Sequence, residues 1–203
     1  MKVLLVNGSP RERGCTNRAL EEVAGELGKH GIKTEIFWIG QKAIQGCTAC
    51  LVCKKTGRCP YDDGVNAFME KCKMADGFIF GSPVYFAGAN GSLLAFMDRL
   101  FFAYKDILRG KPAACVVAAR RAGTTAAVDN LNKYFLFNQM PIVSTNYWNA
   151  VHGSSAADVE KDIEGLQTMR MLGTNMAWML KVIEKAGISF PENDKKIYTN
   201  FIR

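Results

Sequence analysis

An α/β domain built on a doubly wound, five-stranded parallel sheet of order 2-1-3-4-5 is the fold class this sequence predicts. Three observations carry that expectation. Short continuous apolar runs, suited to strands covered on both faces, alternate with segments of helical periodicity from end to end. Each strand-like run is separated from the next by a helix, which requires crossover connections and therefore parallel pairing. No Pro/Gly/Ser linker and no internal repeat divides the 203 residues, 48% of which are hydrophobic, so one core is expected. Residues 1–189 form that domain in this reading, and 190–203, with Pro191 and Asn193, form a C-terminal arm.

The elements follow in order. Val3 to Val6 is the first strand, and Leu20, Val23, Ala24 and Leu27 recur at helical spacing before Gly31 stops the helix. Thr34 to Ile39 is the second strand. Asp62 or Asp63 then caps a helix whose apolar face is Val65, Phe68, Met69 and Cys72. Gly77 to Phe80 is the third strand, ending at Gly81-Ser82-Pro83. Asn90 caps the next helix, which turns Leu93, Phe96, Met97, Leu100 and Phe101 inward. Ala113 to Ala119 is the fourth strand, and Thr124 or Thr125 opens a helix carrying Val128, Leu131 and Phe135. Pro141-Ile142-Val143 reads as the fifth strand. Ser155 with Asp158 forms a capping box that starts a long helix through Val159, Ile163 and Leu166 toward Ile183, with Gly165 and Gly173 as bending points.

Composition narrows the function. The 26 Lys and Arg outnumber the 19 Asp and Glu, giving +7 and a pI near 9.1, but the basic residues are dispersed and no nucleic-acid-reading motif accompanies them. A dedicated nucleic-acid role is not expected. No apolar stretch approaches the roughly 20 residues needed to cross a bilayer. Met1 to Val6 is too short for a signal-peptide core, so a cytoplasmic protein is expected, with no membrane partner.

In a doubly wound sheet, ligands bind beyond the carboxyl ends of the strands. After the first strand comes Gly8-Ser9-Pro10-Arg11-Glu12-Arg13-Gly14-Cys15-Thr16-Asn17. It is neither a dinucleotide fingerprint nor a P-loop. It nevertheless offers hydroxyls at Ser9 and Thr16, the Asn17 amide, the Arg11 cation and free N–H groups at a helix start, which together suit a phosphate monoester. A capped surface turn would use the same residue types. At the end of the third strand, Pro83, Val84, Tyr85 and Phe86 make a wall for a flat ring, unless the aromatics pack in the core. After the fourth strand, the backbone of Arg120-Arg121-Ala122-Gly123 can meet the polar edge of such a ring, with an Arg positioned to stabilise negative charge there.

Seven cysteines are present, with Cys47, Cys50, Cys53 and Cys59 crowded into one loop. An odd total without an export signal argues against a disulfide framework. Three cysteines at successive two-residue gaps can wrap a [4Fe-4S] cubane, with Cys59 as the fourth ligand and Pro60 after it, as in ferredoxin-type loops. A zinc site normally uses two separated cysteine pairs. Zinc binding and free or redox-paired thiols remain the rival readings.

The three strand-end loops resemble the flavodoxin-like NAD(P)H-dependent FMN reductase superfamily. The resemblance rests on Gly8-Ser9-Pro10 with Thr16-Asn17, on Gly81 to Phe86 and on Ala95-Phe96-Met97-Asp98-Arg99. It implies FMN in the 1–189 domain, with the phosphate at Ser9, Arg11, Thr16 and Asn17, the ring against Pro83 to Phe86, and Arg120 to Gly123 at its other edge. The Cys15 backbone N–H joins the phosphate site while its thiol does nothing. With the cysteine loop at 46–61, the chain resembles the iron-sulfur flavoproteins of anaerobic microbes. That likeness implies a homo-oligomer, dimer or tetramer, exchanging electrons with ferredoxin or another acidic carrier. Lys54, Lys55 and Arg58 would attract such a carrier, although a merely solvated basic loop reads the same way. No catalytic side chain is expected, because the cofactors carry the chemistry. A cluster-free reductase taking electrons from NAD(P)H for quinones, nitro compounds or flavin is one alternative; a non-catalytic electron carrier is the other.

The remaining reactive residue types read as structural. His30 sits at a helix end, His152 in a loop, Cys72 and Cys115 on buried faces, and Met169, Met171, Met176 and Met179 in the core or a subunit contact.

Overall fold

The computed structural model describes residues 1–199 and 201. The first strand, β1 (Lys2–Asn7), alternates its buried side chains between two cores. Val3 and Leu5 face the helix α1 (Cys15–Lys29), whereas Leu4 and Val6 face the opposite layer. This two-sided burial explains why the run is continuously apolar. Beside β1 lie β2 (Lys33–Trp38) and β3 (Gly77–Tyr85), both parallel to it. β5 (Ala113–Ala119) and β6 (Ala150–His152) complete the parallel order β2-β1-β3-β5-β6. This is the predicted flavodoxin-like order. A two-residue strand, β4 (Gly88–Ala89), folds back antiparallel onto the extended end of β3.

One face of the sheet is covered by α3 (Val65–Cys72), α4 (Gly91–Leu108) and α5 (Thr124–Phe137). Its core is aromatic: Phe68, Phe80, Phe96, Phe101 and Phe135 meet at tilted or edge-on angles, with neighbouring centroids 5.4–6.4 Å apart. The other face carries α1 and α7 (Ile163–Ala186), packed through Leu20, Val23, Leu27, Met169, Leu172 and Met176. Gly173 does not bend α7; it lets the helix touch α1, since a Cβ there would lie 2.7 Å from Glu26 Cβ. Met169 and Met176 are core residues, while Met171 is exposed.

Three boundaries differ from the sequence expectation. Pro141 to Val143 is not the fifth strand: only Ile142 bridges to Ala113. Thr145 then turns the chain outward by bonding Tyr147 O and Asn149 Oδ1, and the edge position is refilled by β6 against Val117 to Ala119. The Ser155–Asp158 capping box exists but opens only α6 (Ala156–Val159); Asp162 caps the long helix separately by accepting from the Gly165 N–H. Neither Asp62 nor Asp63 caps α3, whose N-cap is Gly64 at φ 100°. Asp63 is held instead by Arg99 of α4, a stronger partner for a carboxylate than a helix N–H.

The predicted arm at 190–203 lies partly outside the described residues. Gly187 ends α7 in the left-handed region, and Phe190 then stacks under the Arg109 guanidinium at 4.9 Å.

The α1–α7 contact gives a pH-dependent prediction. Burial pushes the Glu22 carboxyl upward, but hydrogen bonds from Arg170 (2.5 Å) and Arg18 (2.7 Å) outweigh it and hold the group below its ordinary range. Stabilisation from such a group is present above the ordinary carboxylate pKa and is lost as pH falls through the depressed value. Glu22→Gln is expected to cost about 1 kcal/mol at neutral pH. In thermal melts, the difference from wild type should shrink as pH drops from about 6 to about 3.

Candidate functional site

The carboxyl ends of β1, β3 and β5 converge, as the fold requires, and side chains lock their loops together. Asn7, fully buried, accepts the Ser9 N–H at Oδ1 (3.0 Å) and donates through Nδ2 to Glu12 O (2.9 Å), which folds the first loop back on its strand. The Gly8 N–H bonds Gly81 O at 2.8 Å, and Asn90 donates to Gly8 O at 2.6 Å while its own Oδ1 caps α4. Gly8 is required there, since a Cβ would stand 2.7 Å from Gly81 O.

Between these loops opens a solvent-accessible cleft. Ser9, Arg11, Cys15 and Thr16 line one part, and Pro83, Val84, Tyr85 and Arg120 another, with Ala118, Gly153 and Ser154 between them. The cleft therefore gathers eight of the twelve residues expected at a cofactor. The other four stand beside it. The Asn17 amide donates to Glu21 (2.7 Å), and its oxygen accepts from Asn7 (3.4 Å). Phe86 projects fully into solvent. Arg121 is exposed outside the lining. Gly123, at φ 90°, packs against Ala87 and Val84, which places it between the two ring-edge loops.

The donor set of the cleft fits a phosphate. The Thr16 hydroxyl is buried and has no hydrogen-bond partner among the described residues, a costly state that an anion would relieve. The N-cap of α1, Gly14, offers no side chain to the first N–H groups of the helix, so these too await an acceptor. The Cys15 thiol donates to Gly153 O (3.4 Å), and burial pushes its pKa up. On the ring side, β3 and β4 are joined through Phe86 (φ 49°) and Ala87 (φ 59°), two successive non-glycine residues in the left-handed region. Backbone strain of this kind collects at ligand sites.

The second assembly lies on the aromatic face. Cys47, Cys50, Cys53 and Cys59 line one recess with Tyr61, Arg99 and Phe102. Cys47 and Cys50 are exposed, on a loop with Ala49 at φ 52° and Leu51 at φ 59°. Cys53 belongs to the short helix α2 (Val52–Thr56), which Gly57 ends. Lys54 and Lys55 project outward from α2, with Lys54 Nζ 5.6 Å from the Phe102 ring centroid. Hydrogen bonds from the Val52 N–H and Thr48 lower the Cys50 thiol pKa, whereas burial and the neighbouring cysteines Cys59, Cys50 and Cys47 raise that of Cys53. Burial pushes Cys72 and Cys115 up to about 12, which makes them inert packing residues.

Sequence reasoning quoted Arg99 only as the end of the Ala95–Arg99 motif and gave it no role at either site. Arg99 is 2% exposed, and its guanidinium donates to Cys59 Sγ (3.2 Å), Gln45 O (3.1 Å), Tyr61 O (2.8 Å) and the Asp63 carboxylate. Tyr104, where α4 kinks, accepts the Cys59 N–H at 2.9 Å and donates to Asn66 Oδ1 at 2.5 Å. Asn66 in turn donates to Cys59 O at 3.0 Å. One signal was available in advance: Arg99 is the sole basic residue between Gly91 and Tyr104 of an otherwise apolar helix.

Among the described residues, no three His, Cys, Asp or Glu side chains converge closely enough to hold a single metal ion. The thiols surround a recess instead of a point. Four sulfur donors around a space suit a polynuclear group better than a lone tetrahedral zinc. His152 lies outside the cleft between the strand-end loops, with its N–H bonded to Asp162 at 2.6 Å, and His30 faces Glu26 at 3.5 Å.

Comparison with known proteins adds to this geometry. The NADPH-dependent FMN reductase family model matches residues 1–155. An iron-sulfur flavoprotein of Methanocaldococcus jannaschii is 34% identical over 195 residues, covering 91% of this chain and 100% of its own length. An iron-sulfur flavoprotein of Methanosarcina thermophila is 25% identical over 189 residues, covering 91% and 98%. Among solved structures, RosB with bound 8-demethyl-8-formylriboflavin-5'-phosphate superposes with a TM-score of 0.74 at 13% identity, covering 99% of this chain and 92% of its own. A flavodoxin from the domain Archaea gives 0.62 at 14%, covering 89% and 99%. At such identities the two structures share the fold. Among the described residues, no helix is long and apolar enough to cross a membrane.

Proposed function

The chain belongs to the NADPH-dependent FMN reductase family and, within it, to the iron-sulfur flavoproteins, and from that premise we propose that this FMN-dependent oxidoreductase carries a [4Fe-4S] cluster on Cys47, Cys50, Cys53 and Cys59. It would act in the cytoplasm as a homo-oligomer, passing electrons between cluster, FMN and an external carrier. The observation that carries the reading is the recess itself, where four thiols and one buried guanidinium line a single space.

When bound, FMN supplies hydride and single-electron chemistry and the cluster supplies single-electron chemistry. The protein's own groups bind and orient. Thr16, Ser9, Arg11 and the first N–H groups of α1 hold the phosphate. Pro83, Val84 and Tyr85 support the ring, and Arg120 at the far side of the cleft favours negative charge on its polar edge. Lys54, Lys55 and Arg58 are exposed between Cys53 and Cys59, and this positive charge suits docking of an acidic carrier such as ferredoxin.

The test is anaerobic purification followed by iron, sulfide and flavin analysis. About four irons and four sulfides per FMN are expected, lost together in Cys50→Ala or Cys59→Ala while FMN stays. Flavin without iron would overturn the cluster and leave a two-electron NAD(P)H:acceptor reductase, recognised by steady-state NADPH oxidation. Neither flavin nor iron would overturn the whole reading.

A further inference from the structure

The four cysteines of the recess are not equivalent. Cys47 and Cys50 sit on an exposed loop with two residues at positive φ, and only Cys59 is buried. All three polar groups of Cys59 are held by side chains from α3 and α4: its N–H by Tyr104, its carbonyl by Asn66 and its sulfur by Arg99. The guanidinium is itself fixed on four sides, by Asp63 and by the Gln45 and Tyr61 carbonyls as well as the sulfur, and it lies 5.3 Å from the Tyr61 ring. An arginine guanidinium stays protonated in proteins, so Arg99 is a buried cation here.

A buried cation donating to a ligand sulfur has two consequences. It pre-positions that sulfur as a fixed corner of the recess. It also lowers the energy of added negative charge, because hydrogen bonds to sulfur and local net charge set cluster potentials. Building on the cluster reading above, we propose that Arg99 is the positioning residue of the recess, holding Cys59 as the fixed ligand and raising the reduction potential of the bound cluster. Tyr104 and Asn66 hold the backbone of the same ligand.

The test compares wild type with Arg99→Lys and with Arg99→Met/Asp63→Asn, the double change avoiding a buried unpaired carboxylate. Anaerobic protein is analysed for iron, sulfide and FMN, the midpoint potential is read by EPR-monitored titration, and iron loss to a chelator is timed. The double variant is expected to keep FMN, to titrate at lower potential than wild type and to lose iron about 10–100-fold faster. Arg99→Lys, which keeps the charge without the fork, should recover part of both. Equal potentials and equal loss rates in all three proteins would overturn the proposal. Loss of FMN and of the circular-dichroism signal together with iron would also overturn it, by making Arg99 a scaffold residue only. Iron-free wild type would sink the cluster reading first, before any variant is made.

Discussion

Gly123→Val is expected to lower both FMN affinity and thermal stability, and by more than any other single change between the two ring-edge loops. Gly123 adopts φ 90°, where a β-branched residue is strained whatever space surrounds it. Space is also missing: a Cβ would stand 2.6 Å from Ala87 Cα and 3.1 Å from Val84 Cγ1. The first of these contacts is backbone and cannot rotate away, so the turn at Phe86-Ala87 must move off the loop after β5. That movement opens the walls that Val84, Tyr85 and Arg120 present to the cleft. A loss of about 3 kcal/mol is expected, equivalent to roughly 6–12 °C in Tm for a chain of this size. Gly25→Ala is the control. It sits in an exposed turn of α1 with nothing within 4 Å of the added carbon, and should gain about 0.5–1 kcal/mol. A Gly123→Val protein that melts and binds FMN like wild type would show that the two loops do not form one wall.

Thr16→Val should move stability and binding in opposite directions. The Thr16 hydroxyl is buried in the second position of α1 without a partner among the described residues, which costs about 1–3 kcal/mol relative to a satisfied group. Valine keeps the shape and removes the unsatisfied oxygen, so the flavin-free protein should be as stable as wild type or more so. On the proposed reading the same hydroxyl would donate to a charged phosphate oxygen, a bond of about 1.5–3 kcal/mol, and its loss should weaken FMN binding roughly 10- to 150-fold. Riboflavin, which lacks the phosphate, should bind both proteins equally. Fluorescence titration of the two flavins together with melts of the flavin-free protein separates the effects. An unchanged FMN Kd would remove the phosphate from this end of the cleft.

The alternation of buried strand and amphipathic helix was legible because it depends on local periodicity alone. β1 and β5 are apolar at nearly every position because both faces are covered, and α1 shows its Leu20, Val23, Leu27 stripe whichever helix packs on it. The loop after β1 and the cysteine spacing could be read as candidate sites for a related reason: each is contiguous, so its residue types stand in neighbouring positions. The edge strand was not. Pro141-Ile142-Val143 and Ala150-Val151-His152 are both short and both reach β5, and pairing chose the second along Val117 to Ala119. No local signal ranks two such triplets.

Long-range polar contacts account for the rest. Asp63 has the residue type of a helix cap, and Asp62 beside it equally so, but a guanidinium 36 positions later takes the carboxylate. Asn17 has the residue type of a phosphate donor, and folding directs one of its amide N–H groups to Glu21 one turn on. Arg99 meets Cys59 across 40 positions and becomes a buried cation on an apolar helix. What this sequence determined by itself is the order of elements, the two covered faces of the sheet and the residue types of both sites, because periodicity and contiguous motifs carry that information. Which polar group satisfies which was decided only by the tertiary structure, because a buried charge or amide is stable solely against a partner that folding brings to it.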